Sequence, residues 1–177
     1  MTYVVFFARC TLLLVFVAAL GGKLRSRAAW SSFVAATGTL LSVGRTRVLW
    51  AVAAVLTEGA VAVCLLLNDT AYSGLFLALA GLALFLVVVL SGVVRGVETA
   101  CNCFGAAGSS LSWTHVWRNL MLVVVAAAGC GAATASRTPS MFVGTAYATP
   151  IVLSFIAAAL FVIWDDMTFL LVGRPSE

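Results

Sequence analysis

Two cysteines one residue apart, in Cys101-Asn102-Cys103-Phe104-Gly105, carry the clearest chemistry in this chain. They stand in a short polar stretch between two long apolar runs. Thiols so placed cycle between dithiol and disulfide. A Cys-x-Cys disulfide closes a small ring that departs from the preferred disulfide geometry. Strained, exposed disulfides are oxidising and labile, which suits exchange and not a structural staple. The reactive species is the thiolate, favoured by a helix N-terminus and by nearby cations. Arg95 and Arg118 flank the stretch, and His115, the single histidine of the chain, is close enough in sequence to shuttle a proton near neutral pH. Cys101 and Cys103 are therefore the catalytic candidates, with Arg95, Arg118 and His115 as thiolate-supporting groups. Two other readings compete: inert cysteines in a loop of small residues, or metal ligation with His115 and Glu98. A closed zinc site usually shows a pair of Cys-x2-4-Cys or His-x3-5-His units. Neither is present, so no metal site is assigned.

The elements that must hold this stretch are legible from composition. The chain has 177 residues, 63% hydrophobic and 9% charged, with mean hydropathy +1.15. A soluble domain carries roughly 25% charged residues. So few charges cannot cover a water-soluble surface, and the expectation is an all-α, polytopic transmembrane helical bundle in one membrane domain. A span needs about 20 apolar residues. Four core spans are expected at about 3–20, 48–67, 72–94 and 116–134, and a fifth, C-terminal span at about 147–171. Asp165 and Asp166 mark the exit of the last. The first run is taken as a retained span, since it lacks the basic leader of a signal peptide. Residues 28–43 are too short and polar to cross; Trp30, Phe33, Val34, Leu40 and Leu41 give them an apolar side, as in an amphipathic interfacial helix. Gly44 is the expected stop, and Ser112 the expected cap of the fourth span. Small residues at Gly81, Gly92, Gly96 and Ala126–Gly129 suit close packing within one bundle.

Five spans give the bundle two ends. All five tryptophans then fall near the end opposite the N-terminus, and all three tyrosines near the N-terminal end. Both residue types favour the membrane interface. Lys23, Arg25, Arg27, Arg45, Arg47, Arg95, Arg118 and Arg174 lie towards the tryptophan end, which is also the end of Cys101 and Cys103. Only Arg9 and Arg137 lie towards the other. By the positive-inside rule the cysteine pair faces the cytoplasm. The net charge of +4 is spread over span ends and is not a nucleic-acid signal. No nucleic-acid partner is expected; the lipid bilayer is.

Two charges interrupt the apolar runs. Arg9 lies inside the first span and Glu58 near the middle of the second. Charges in the membrane core are costly and usually pair. By helical rise the two sit within about one turn in depth, which predicts an intramembrane ion pair between Arg9 and Glu58. Cys10, Cys64 and Cys130 fall in the leaflet far from the cysteine pair, roughly 20–30 Å away. They read as small buried hydrophobes.

Taken together, Arg9, Gly21-Gly22-Lys23-Leu24, the amphipathic stretch that follows, Glu58, Cys101-Asn102-Cys103-Phe104-Gly105 and Arg118-Asn119 resemble the methylamine-utilisation MauE family of DoxX-like membrane proteins. The resemblance covers roughly residues 9–135. It implies a redox-associated protein of the cell membrane, linked to maturation of disulfide-containing exported proteins beside a thioredoxin-like partner. The architecture is also similar to vitamin K epoxide reductase and DsbB, which pass electrons to a quinone, so a quinone is the cofactor that likeness implies. Their Cys-x-x-Cys pair is absent here, and so is a second cysteine pair at the same end to act as a shuttle. A separate thioredoxin-like protein would have to supply the other dithiol.

The function expected is thiol–disulfide exchange through Cys101 and Cys103, making the chain a candidate oxidoreductase. The rival from another class is a non-catalytic membrane assembly or scaffold subunit with incidental cysteines. Work on exported proteins wants the cysteine loop outside, against the arginine count. The expectation leans to the external face, with Arg95 and Arg118 set aside as functional charges.

Overall fold

In hydrocarbon a backbone must satisfy its own hydrogen bonds, and a run of apolar residues about 20 long does so as a helix. A computed structural model describes residues 2–97, 111–135 and 148–172 of the chain. Six helices make up nearly all of this: α1 (Thr2–Leu24), α2 (Arg27–Leu40), α3 (Arg47–Leu66), α4 (Ala71–Val94), α5 (Trp113–Ala135) and α6 (Ala148–Val172). No strand occurs among the described residues. Four helices, α1, α3, α4 and α5, are long and apolar enough to cross a membrane. The apolar stretch with described side chains in α6, Thr149–Ile163, is shorter. The protein is a multi-pass helical membrane protein, as its composition requires.

The hub is α1, which packs against all five other helices. Val5, Ala8, Leu12, Val15 and Phe16 are its buried stripe, at the three- and four-residue spacing of one helix face. They meet Val61, Ala62 and Leu65 of α3, Leu75, Ala78 and Leu82 of α4, and Leu122, Ala126 and Cys130 of α5. α6 packs against α1 and α5 and adds Ala158 to this core, and Ser154 joins it to α1 by donating to the Phe7 carbonyl at 3.3 Å.

Not all of the small residues serve packing. A Cβ at Gly74 would lie 2.9 Å from the Leu65 backbone nitrogen, so α3 and α4 touch there nearly backbone to backbone. A Cβ at Gly129 would lie 2.7 Å from Ala8 Cβ, which draws α5 onto α1. Gly81 has nothing within 4 Å. Gly96 has φ 65° and belongs to the cap of α4 instead.

Span boundaries agree with expectation to within a few residues, with instructive exceptions. α1 continues through Gly21-Gly22 past Leu20 to Leu24, and Lys23 in this last turn finds an internal partner in Glu58. α5 starts at Trp113, one residue after Ser112, which stands at the N-cap position with its carbonyl accepting from the His115 N–H at 3.1 Å. α2 ends before Gly44. Ser42 takes the left-handed conformation at φ 54°, and the Val43 N–H bonds back to the Gly38 carbonyl at 3.0 Å, the pattern of a Schellman cap. α4 ends the same way: the Val97 N–H donates to the Gly92 carbonyl at 3.0 Å, with Gly96 in the left-handed position. The N-terminus of α2 is capped by Ser26, whose hydroxyl accepts from the Ala29 N–H at 3.1 Å.

Candidate functional site around the feet of the cysteine loop

Cys101 and Cys103 lie outside the described residues. What is described is the pair of feet from which their loop springs, Val97 after α4 and Leu111 before α5. The two feet are brought together by α2. At Gly92 a Cβ would lie 2.6 Å from Leu40 Cδ2 and 2.8 Å from Leu111 Cδ2, so the end of α2 and the start of α5 converge on one glycine of α4. Arg95 completes the junction. Its guanidinium donates to the Leu40 carbonyl at 2.5 Å and to the Ser42 hydroxyl at 3.1 Å, while Nε returns to Ser91 at 3.0 Å. A cation on the last carbonyls of a helix is electrostatically favoured. Arg95 is thus a bracket between two helix C-termini.

His115 and Arg118 are arranged differently. Both are 1% exposed, and Asn119 beside them is 3% exposed. They occupy the first two turns of α5 on the face that continues through Leu122, Ala126, Gly129 and Cys130. His115 and Arg118 are three residues apart and so share that face. Asn119 donates to the His115 carbonyl at 2.8 Å. A guanidinium buried this completely in a membrane helix is costly and by default marks a functional position. It sits at the positive end of the α5 dipole, directly after the loop returns to the bundle. The structure thus brings His115 and Arg118 together, and turns Arg95 onto α2.

The expected pairing of Arg9 with Glu58 is not found. Arg9 lies at the C-terminal end of α3: Nε donates to the Leu65 carbonyl at 2.5 Å, and a second nitrogen to the Leu66 carbonyl at 2.8 Å. Its third contact is the Asn68 side-chain oxygen at 2.8 Å. These are carbonyls that a helix end leaves unpaired, so Arg9 closes the α3–α4 turn as a cap supplied by another helix. Glu58 pairs instead with Lys23, which is 3% exposed against 20% for Glu58. The ammonium also lies 5.0 Å from the centroid of the Phe33 ring, on α2. Lysines near span ends ordinarily extend to the interface. Lys23 turns inward instead, because Glu58 offers a charge and Phe33 a ring. Counting rise from a common plane missed this, since Leu65 rather than Glu58 is the α3 residue level with Arg9. The signal available in sequence was the reach of Lys23 at the end of α1. Glu58 Oε2 is buried without a hydrogen-bond partner among the described residues.

Cys10, Cys64 and Cys130 are free thiols, two of them half-buried and Cys130 buried. No group of three or more metal-ligating side chains occurs among the described residues.

The sequence matches the family model Methylamine utilisation protein MauE over residues 1–132. That stretch takes in α1 to α4, the cysteine loop and most of α5. Neither a curated protein nor a solved structure matches the chain.

Proposed function

This chain belongs to the MauE family of methylamine utilisation proteins, a membrane protein of a redox-related system, and from that membership and the site above we propose that it exchanges disulfides through Cys101 and Cys103. The observation that carries the reading is the fully buried His115–Arg118 pair at the start of α5. It places a cation, an imidazole and a helix N-terminus at one foot of the cysteine loop, and each favours the thiolate. Arg95 supports the loop from the other foot by holding α4 and α2 together.

In the exchange, a thiolate of a thioredoxin-like partner attacks one sulfur of the Cys101–Cys103 disulfide. The sulfur–sulfur bond breaks, a mixed disulfide forms, and the other cysteine leaves as thiolate. The partner's second thiolate then displaces this chain from the mixed disulfide. The partner departs oxidised, and this chain is left with two thiols, having gained two electrons and, at neutral pH, two protons. The reverse sequence oxidises this chain, so the step is balanced without a further oxidant. The reading puts the loop on the external face, where disulfides persist and exported proteins are matured. The same reading takes α6 as a fifth span.

The test is mixed-disulfide trapping in membranes. With an oxidised partner that keeps both its cysteines, Cys101→Ser or Cys103→Ser should leave one variant whose remaining thiolate attacks the partner's disulfide and holds it as a mixed disulfide, because this chain then has no second thiol to complete the exchange. The double serine variant should trap none, with the bundle still folded. An unimpaired double serine variant sinks the reading and favours an assembly subunit whose cysteines are incidental.

A further inference from the structure

Before Glu58 the chain contains no aspartate or glutamate, yet it carries Arg9, Lys23, Arg25, Arg27, Arg45 and Arg47. Arg9 is consumed by the end of α3, and Lys23 by Glu58. Arg27, Arg45 and Arg47 are exposed, the first at one end of α2 and the other two just beyond its opposite end. A helix of 14 residues is about 20 Å long, so these are separate positions on the surface.

The end with Arg45 and Arg47 is the end that touches the cysteine loop's feet. Leu40 packs with Leu111 over Gly92, and Arg95 grips Leu40 and Ser42 from α4. Arg47 lies against the last turn of α2, on the side of Gly38: a Cβ at Gly38 would lie 3.2 Å from Arg47 Cβ and 3.3 Å from Arg47 Cδ. The side-chain stem therefore runs over the last turn of α2. Among the described residues neither Arg45 nor Arg47 has an ion pair. Arg45, Arg47 and Arg95 form a cationic rim about the C-terminal end of α2, the helix end that meets the feet of the loop at Gly92.

We propose that this rim docks an acidic surface on the partner of Cys101 and Cys103, a water-soluble dithiol protein with carboxylates beside its own cysteines. The proposal rests on the thiol-exchange reading for the partner's chemistry, and on the rim for its charge. Charges at the border of an interface steer encounter and select partners more than they add affinity. They are also screened by salt. A rim of one sign beside a small reactive loop admits acidic dithiols quickly and neutral or basic ones slowly.

The experiment uses the full chain in discs of zwitterionic phosphatidylcholine, with a labelled, cysteine-free hexaglutamate peptide as probe and hexaglutamine as its neutral counterpart. Hexaglutamate should bind at low ionic strength and be released near 1 M salt, where the Debye length is about 3 Å. Arg45→Gln and Arg47→Gln should each weaken binding about three- to fivefold, and Arg27→Gln by less than about twofold. Equal affinity for the two peptides overturns the proposal, as does an Arg27→Gln effect as large as the others. Discs containing phosphatidylglycerol separate the lipid occupant. If Arg45→Gln/Arg47→Gln loses bound phosphatidylglycerol but not peptide affinity, headgroups occupy the rim and the proposal fails. The probe contains no thiol, so its binding is independent of redox chemistry. A second pair of peptides, a Cys-x-x-Cys dithiol flanked by glutamates or by glutamines, reads exchange itself. Charge-selective binding without exchange of either dithiol would leave the docking rim standing and remove the redox reading beneath it.

Discussion

Lys23 shows how one side chain can redistribute the electrostatics of a bundle. Removing one partner of a buried ion pair leaves an uncompensated charge and costs about 3–5 kcal/mol, whereas replacing both by apolar groups is close to neutral. Glu58→Leu should therefore destabilise the protein by about that amount, and Lys23→Met in the same chain should restore most of it. Unfolding in mixed micelles by increasing dodecyl sulfate fraction measures both. Arg9→Met should cost about 3 kcal/mol by stranding the Leu65 and Leu66 carbonyls, and its effect should add to that of Glu58→Leu, since Arg9 bonds the end of α3 and Glu58 bonds Lys23. Strong coupling between Arg9 and Glu58 would contradict the pairings described. The sequence marked Arg9 and Glu58 as misplaced charges correctly, because a charge inside an apolar run needs only composition to be seen. It did not reveal their partners. A helix end is an acceptor that no residue type announces, and a lysine near a span end looks topological until its direction is known.

At the scale of helices, apolar run length made the four long spans and the short α2 legible to within a few residues. The ends were less so, because Ser42 rather than the expected Gly44 takes the left-handed position that closes α2. The close approaches were half-legible. Glycine and alanine content suggested tight packing, yet Gly74, which lies against the backbone of α3, went unremarked, while Gly81 meets nothing. Gly74→Ala should force α3 and α4 apart and cost about 1–3 kcal/mol, whereas Gly81→Ala should be neutral or slightly stabilising, in the same unfolding assay. The neighbourhood of the cysteine loop was legible in part: His115 and Arg118 share one face of α5, as their spacing allows. The role of Arg95 was not, since its partner is the end of a helix more than fifty residues earlier in the chain.

Over the whole molecule, positive charge is concentrated at the end that carries the cysteine loop, and the positive-inside rule would send that end to the cytoplasm. The structure changes what should be counted. Lys23 is neutralised inside the bundle, Arg118 is buried and Arg95 brackets α2. The remaining arginines include the rim proposed to meet an acidic partner. A variant retaining only Cys101 and Cys103 should, in intact cells, react with a membrane-impermeant maleimide only after reduction. Labelling that requires permeabilised cells would return the loop to the cytoplasm and remove the link to exported proteins. The position of α1 as hub also has a meaning in time. α1 precedes the other five described helices in the chain, and each of them packs against it. Each segment leaving the ribosome therefore finds its docking surface already in place, and α3 can deliver Glu58 to a lysine that is already waiting. Assembly of this bundle can proceed by successive addition to one post, in the order of synthesis.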